Sequence, residues 1–82
     1  MNKTYKYDPN TFSDVLNLSH DLSNFYTALE KYHADKSLEN RFFLKNQWSD
    51  LFFTIKHREV EGFLNPVEAH DIRFYLEELV NG

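Results

Sequence analysis

The hydrophobic residues between Leu38 and Glu61 fall on two opposite sides when this stretch is plotted as a helix at about 100° per residue. One side is a strong apolar stripe made of Leu44, Trp48, Leu51 and Ile55. The other side is thinner and carries Phe42, Phe53 and Val60, with Leu38 and Phe43 flanking them. A surface helix normally has one apolar stripe and a polar back. The pattern therefore predicts a helix that is packed between two neighbours or that leaves one face for a partner.

An apolar repeat in the first half of the chain predicts another long helix. Its members are spaced alternately three and four residues apart, as in a heptad seam: Val15, Leu18, Leu22, Phe25, Leu29 and Tyr32. Leu16 and Tyr26 widen this seam. We place the start of the helix at Asp8-Pro9, because Asp8 can cap free N–H groups and proline is tolerated at the first helical position. The helix is predicted to end near His33.

Residues that favour helix ends mark the remaining boundaries. Ser37 is the predicted cap of the second helix, and Gly62 supplies the left-handed residue that commonly follows a helix. Asn65 then caps a third helix that begins at Pro66. The core face of this third helix comprises Ala69, Ile72, Leu76 and Leu79, with Tyr75 and Val80 at its edge. Phe74 points away from that face.

Together these elements predict an all-α fold, an antiparallel three-helix bundle built from a long helical hairpin and a shorter C-terminal helix. The connection at residues 34–37 is short, so the first two helices should be antiparallel neighbours. A chain of 82 residues makes one domain, 1–82, in which residues 1–7 form a flexible or loosely docked N-terminal tail. Because the third helix is too short to cover the full hairpin, some apolar surface of the second helix should remain for the tail, for a second copy or for a different protein.

Composition excludes several function classes. The chain has no cysteine, which removes disulfides and zinc–thiolate sites and fits a reducing, cytoplasmic location. No apolar run approaches the length of about 20 residues that crosses a bilayer, so we expect no membrane association. The polar N-terminal residues lack the apolar core of a signal peptide. The net charge of −4 argues mildly against nucleic-acid binding.

No set of residues forms a catalytic, cofactor or metal signature. Glu30 and His33 have the Glu-x-x-His spacing, but a di-iron bundle needs two such motifs and two further carboxylates. His70 and Asp71 are adjacent, so their side chains diverge by about 100° on a helix and form no dyad. The two glycines provide no phosphate-binding loop, and so small a bundle has little room for a substrate pocket. We therefore expect no enzyme activity, cofactor or small-molecule substrate.

Protein binding has positive support from the second stripe of the second helix. Interface cores favour Tyr, Trp, Phe and Arg, and this stripe presents phenylalanine rings beside an arginine. The predicted contact residues are Arg41, Phe42, Phe43, Phe53, Val60 and Phe74. The leading prediction is a small non-enzymatic regulator or inhibitor that acts by protein–protein interaction through this aromatic-rich helix face. The sequence leaves equally open that the third helix and the tail cover these rings.

Two alternatives remain at this stage. A small nucleic-acid-associated regulator could use the basic turn around residues 31–45, which carries Lys31, Lys36, Arg41 and Lys45. Acidic residues in the same region and an acidic third helix weaken this alternative, so nucleic acid is the less favoured partner. The other alternative is one subunit of a homodimer with a purely structural role, in which the second copy completes the core.

Overall fold

The computed structural model describes residues 5–15 and 17–81 and contains three α-helices. They are α1 (Leu18–Ala34), α2 (Leu38–Val60) and α3 (Pro66–Asn81), and a short 3₁₀ helix, Pro9–Phe12, precedes them. α1 and α2 form the long hairpin, and the shorter α3 packs against α2. The predicted all-α three-helix bundle is confirmed. None of the helices within the described residues combines the length and the apolar character that crossing a membrane requires.

Short polar side chains determine where α2 and α3 begin. The Ser37 hydroxyl accepts a hydrogen bond from the Asn40 N–H at 3.2 Å, and the Asn65 carboxamide oxygen accepts one from the Glu68 N–H at 2.7 Å. Both bonds satisfy N–H groups that have no partner within their helix. Gly62 follows α2 with a φ of 88°, a conformation that glycine adopts without steric cost. The predicted caps of α2 and α3 and the predicted left-handed glycine are confirmed.

The predicted start of the first helix is wrong. Instead of one helix from Pro9 to about His33, the chain forms the short 3₁₀ helix, turns, and begins α1 only at Leu18. Asp8 acts as a cap, because its carboxylate accepts a hydrogen bond from the Asn10 N–H at 2.9 Å. That cap, however, serves the 3₁₀ helix and not the long helix.

The backbone between the 3₁₀ helix and α1 explains why the long helix begins at Leu18 and not at Pro9. Val15 N–H and Leu18 N–H both donate to carbonyl groups three residues earlier, which is the 3₁₀ pattern. Asn17, directly before α1, has a φ of 64°. Asparagine tolerates this left-handed conformation better than most residues, and short polar side chains compete with helical hydrogen bonds. Leu16, which was predicted to widen the seam, lies outside the described residues.

One face of each helix contributes to a single core. The largest fully buried side chains are Phe25, Leu18, Leu22, Leu44, Leu51, Ile55, Ile72 and Leu76. Trp48 is half-buried, and its ring centroid lies 5.8 Å from that of Phe25. Val15 lies outside α1 but still packs against this core. The hydrophobic pattern therefore predicted the buried faces of all three helices correctly.

Tyrosine rings attach the segment before the 3₁₀ helix to the bundle. Tyr5 stacks on Tyr26 of α1, with 3.8 Å between the ring centroids. The Tyr7 ring lies 6.1 Å from Phe12 and 5.4 Å from Tyr75 of α3. Residues 5–7 thus contact both α1 and α3, while residues 1–4 of the predicted tail lie outside the described residues.

Candidate protein-binding surface

Most of the phenylalanine side chains lie on the surface. All eight belong to the described residues, and only Phe12 and Phe25 are buried. The six exposed ones are Phe42, Phe43, Phe52, Phe53, Phe63 and Phe74. Phenylalanine is among the residues most often found in protein interiors. The surface of this bundle is therefore unusually rich in aromatic rings.

The second stripe of α2, which consists of Phe42, Phe53 and Val60 and is called the α2 stripe below, is uncovered. Phe42 is 58% exposed, Phe53 61% and Val60 79%, so the described residues of the other elements leave these side chains accessible. The stripe is not one continuous patch. Phe42 and Phe53 lie about 16 Å apart along the helix axis at 1.5 Å per residue, and Asn46 and Ser49 lie between them. The stripe consists of separate apolar positions on one polar helix face.

Phe53 is the outer end of a row of rings that begins in the core. The Phe52 ring centroid lies 6.4 Å from that of Phe53 and 5.9 Å from that of Trp48, which packs on Phe25. The Arg73 guanidinium of α3 lies 5.6 Å from the Phe52 ring centroid, within the range of a cation–π interaction. These contacts restrict the Phe52 ring, and Phe52 in turn supports Phe53.

Phe43 lies on the side of α2 that faces α1. It is 40% exposed, and the Lys31 ammonium group lies 5.5 Å from its ring centroid. The structure thus brings one predicted protein-binding residue together with one predicted nucleic-acid-binding residue. The cation–π contact keeps Lys31 close to the protein surface.

Phe74 occupies the side of α3 opposite the core, as the helical pattern predicts, and is 58% exposed. Together with Glu77, Glu78 and Asn81 it lines an open depression of about 610 Å³. This ring belongs to a different helix from the α2 stripe. The predicted contact residues therefore occupy two helices and not one face.

Three further apolar residues are exposed that the helical pattern did not predict: Phe52, Phe63 and Val67. Phe52 falls between the two stripes of α2 on the helical plot, and Phe63 lies in a turn, where no helical period applies. Val67 is 72% exposed and lies within about 20° of Phe74 on a helical plot of α3. Its spacing of one heptad from Phe74 was the signal that could have identified it.

The predicted basic turn is divided among different surroundings. Lys31 contacts Phe43, and Lys36 is exposed in the connection between α1 and α2. Arg41 and Lys45 line a cleft of about 320 Å³ with residues from the ends of α1 and α3. The C-terminal end of a helix carries a partial negative charge, so these two cations are well placed beside the end of α3.

Glu30, the first residue of the one Glu-x-x-His spacing in the sequence, is hydrogen-bonded to Tyr5 in the structure. Glu30 accepts a hydrogen bond from the Tyr5 hydroxyl at 2.9 Å, and His33 is exposed near the end of α1. Within residues 5–15 and 17–81, no three histidine, aspartate or glutamate side chains lie close enough together to hold a metal ion.

No family model, no curated protein and no solved structure matches this chain.

Proposed function

We propose that this chain is a small, non-enzymatic, cytoplasmic protein that binds another protein as a regulator or inhibitor. The observation that carries the proposal is the exposure of six of its eight phenylalanine side chains. Burying one such side chain fully is worth about 1.5–3 kcal/mol, and a domain of this size has a marginal core. A chain that leaves these rings in water forgoes that stabilisation. A partner that covers them accounts for their position.

The α2 stripe is the primary contact in this proposal. Phe53 and Val60 have the i, i+7 spacing with which a helix presents anchor residues to a groove on its partner. Phe42 extends the contact toward the start of α2, and Phe43 lies at its edge, whereas Arg41 lines the cleft beside α3. Aromatic and arginine side chains are the residues that most often dominate binding energy in protein interfaces.

Phe53 is the strongest single anchor. Its neighbour Phe52 contacts Trp48 and Arg73, so the ring that packs against Phe53 is restrained before any partner arrives. Less conformational entropy is lost on binding when an anchor is already ordered. A rigid helix face of this kind can block or hold a partner surface without any catalytic group.

The double substitution Phe42→Asp and Phe53→Asp tests the proposal. Tagged wild-type and variant chains are incubated with extract of the native host, and the captured proteins are quantified by mass spectrometry. A matched control, Asn24→Asp with Thr27→Asp, adds the same charge to exposed positions on the far side of α1. We expect a partner that the control retains and the double variant loses. If every captured protein remains on the double variant, the α2 stripe is not the contact.

Nucleic-acid binding by the basic turn has less support. The Lys31 ammonium group lies over the Phe43 ring. Arg41 and Lys45 line the cleft beside α3, and the chain has a net charge of −4. All four basic side chains are exposed, but phosphate contacts dominate the affinity of nucleic-acid binders and are opposed by the net negative charge of the chain. Micromolar retardation of duplex or single strands in a gel at low salt would reverse this ranking if Lys36, Arg41 and Lys45 substitutions abolish it.

Self-association is the other outcome that the exposed rings allow, since a second copy could cover the α2 stripe. Sedimentation at two concentrations distinguishes the cases. We expect a monomer at both. A dimer that the Phe53→Asp change dissociates would instead support the homodimer with a structural role.

A further inference from the structure

A second surface, on α3, combines apolar and acidic side chains. It comprises Val67, His70, Asp71, Phe74, Glu77 and Glu78, all of them exposed and lying within roughly 120° on the helical plot, and the His70 ring centroid lies 6.4 Å from that of Phe74. We call this surface the acidic face. Its two apolar side chains lie on the same side of the helix, and its three carboxylates surround them.

The carboxylates of the acidic face have no ion pair within residues 5–15 and 17–81. Arg73 of α3 is directed toward α2, where it pairs with Glu59 at 3.5 Å and lies over Phe52. Arg41 and Lys45 approach the end of α3 from the side of α2, in the cleft described above. The acidic face therefore presents its negative charge to solvent.

The position of Glu77 and Glu78 is unfavourable for α3 itself. Both lie near the C-terminal end of the helix, whose carbonyl groups carry a partial negative charge, and the last turn of α3 contains no basic residue. Arg41 and Lys45 offset part of this negative charge from the side of α2, in the cleft that also contains Asn81. A positively charged ligand on the outer side of α3 would offset the rest.

We propose that the acidic face binds a basic amphipathic segment of the partner protein, in which lysine or arginine side chains flank an apolar one. The apolar side chain contacts Phe74 in the depression of about 610 Å³, and the basic side chains pair with Asp71, Glu77 and Glu78. Complementary charge selects this class of segment and repels acidic ones. The inference rests on the proposed function and specifies the chemistry of its partner.

A second copy of the chain fits the acidic face poorly. In a symmetric dimer the same patch from both subunits meets itself, which would bring the carboxylates of two acidic faces together. Like charges facing each other across an interface are strongly disfavoured. Nucleic acid is disfavoured at this face for the same reason, because phosphates carry the same sign of charge.

The experiment uses a labelled model peptide of about 14 residues, roughly four helical turns, composed of leucine on one face and lysine on the other. Fluorescence anisotropy measures its binding to the full chain, and a peptide with glutamate in place of lysine is the probe control. The test variants are Glu77→Gln with Glu78→Gln, and Phe74→Ala. The matched control is Glu39→Gln with Asp50→Asn, which changes the net charge equally at exposed positions of α2.

We expect the lysine peptide to bind and the glutamate peptide not to bind. Each test variant should weaken binding by about five- to tenfold, and the control pair by less than about twofold. Amide chemical shifts on adding the peptide should change mainly within Pro66–Asn81. If the test pair and the control pair weaken binding equally, the peptide responds only to the net charge of the chain, and the proposal is overturned. No effect of Phe74→Ala would overturn it as well.

The two proposals can fail independently. If the peptide does not bind but host capture still depends on Phe42 and Phe53, the chain binds a protein and only the chemistry assigned to the acidic face is wrong. If the peptide binds at α3 and capture is insensitive to the α2 rings, the α2 contact is wrong. Self-association that Glu77→Gln with Glu78→Gln abolishes would identify a second copy as the occupant and overturn the commitment to a different protein.

Discussion

The hydroxyl group of Tyr26 joins the N-terminal segment to α1. It donates a hydrogen bond to the Tyr7 carbonyl at 2.6 Å, while the ring lies under Tyr5. Tyr26→Phe keeps the ring and removes the hydrogen bond, so the free energy of unfolding should fall by about 1 kcal/mol. Urea unfolding followed by circular dichroism measures this change. Tyr32→Phe is the control, because the Tyr32 hydroxyl makes no hydrogen bond within the described residues, and equal effects of both changes would contradict the assignment.

The same tyrosine cluster should make the free energy of unfolding depend on pH in the alkaline range. Burial, followed by the hydrogen bond to Glu30, raises the pKa of Tyr5 from 10.0 to about 12, and burial also raises the pKa of Tyr26. A tyrosine with a raised pKa keeps its proton longer in the folded chain than in the unfolded chain. The unfolded state therefore loses protons first, and stability should fall as the pH rises from about 10 toward 12.

Urea unfolding at several values across this pH interval checks the sign of the dependence. Lysine side chains also titrate in the interval, so the informative quantity is the difference between wild type and Tyr5→Phe with Tyr26→Phe. The double variant should lose less stability across the interval than the wild type loses. The same loss in both chains would show that these tyrosines do not carry the pH dependence.

At the scale of elements, the turn between α2 and α3 depends on the backbone conformation of Gly62. A Cβ atom added at Gly62 meets no atom within 4 Å, so Gly62→Ala tests the φ of 88° without a side-chain clash. A left-handed conformation costs an L-residue roughly 1–2 kcal/mol, and we expect that loss of stability by urea unfolding. Ser49→Ala, in the exposed middle of α2, is the control and should be neutral or slightly stabilising. Wild-type stability of Gly62→Ala would mean that the turn relaxes to another conformation.

The elements whose limits were predictable are those that a capping side chain or a left-handed glycine defines. Ser37, Asn65 and Gly62 act through single local contacts or conformations, which the sequence shows directly. The break before Leu18 was not predictable from the apolar pattern, because a spacing of three residues fits an α-helix and a 3₁₀ helix equally well. Only the short polar residues Ser13, Asp14 and Asn17 distinguished the two, and the heptad seam outweighed them.

For the bundle as a whole, the sequence identified the two apolar sides of α2 and which of them is buried, but not whether the second side would be covered. That outcome depends on where α3 docks around the axis of α2, and the plot of one helix contains no information about its neighbour. The same reason explains in part why Phe52 was missed, since it falls between the two stripes of α2 and is contacted by Arg73 of α3. The sequence shows the acidic side chains of α3, but only the packed bundle shows that Asp71, Glu77 and Glu78 form no ion pair with any other residue of the described part of the chain.

Leu51 and Phe53 provide the sharpest test of how the bundle divides its apolar residues between folding and binding. Leu51 is fully buried between the helices, and Phe53 is 61% exposed on the other side of α2. Leu51→Ala should therefore lower the free energy of unfolding by about 2–5 kcal/mol. Phe53→Ala should change it by no more than about 0.5 kcal/mol. Thermal and urea unfolding of the two variants measure this contrast directly.

In partner capture, Phe53→Ala should have the larger effect and Leu51→Ala the smaller one. Phe53→Ala should lose the partner while it remains as stable as the wild type, because it removes a contact that exists only in the complex. Leu51→Ala should retain the partner at temperatures where it is still folded, since the exposed face of α2 is unchanged. If both variants lose stability and binding together, Phe53 contributes to the fold and the two faces of α2 are not functionally separate. The opposite responses of two residues on one helix would instead demonstrate that α2 stabilises the bundle with one side and recognises a protein with the other.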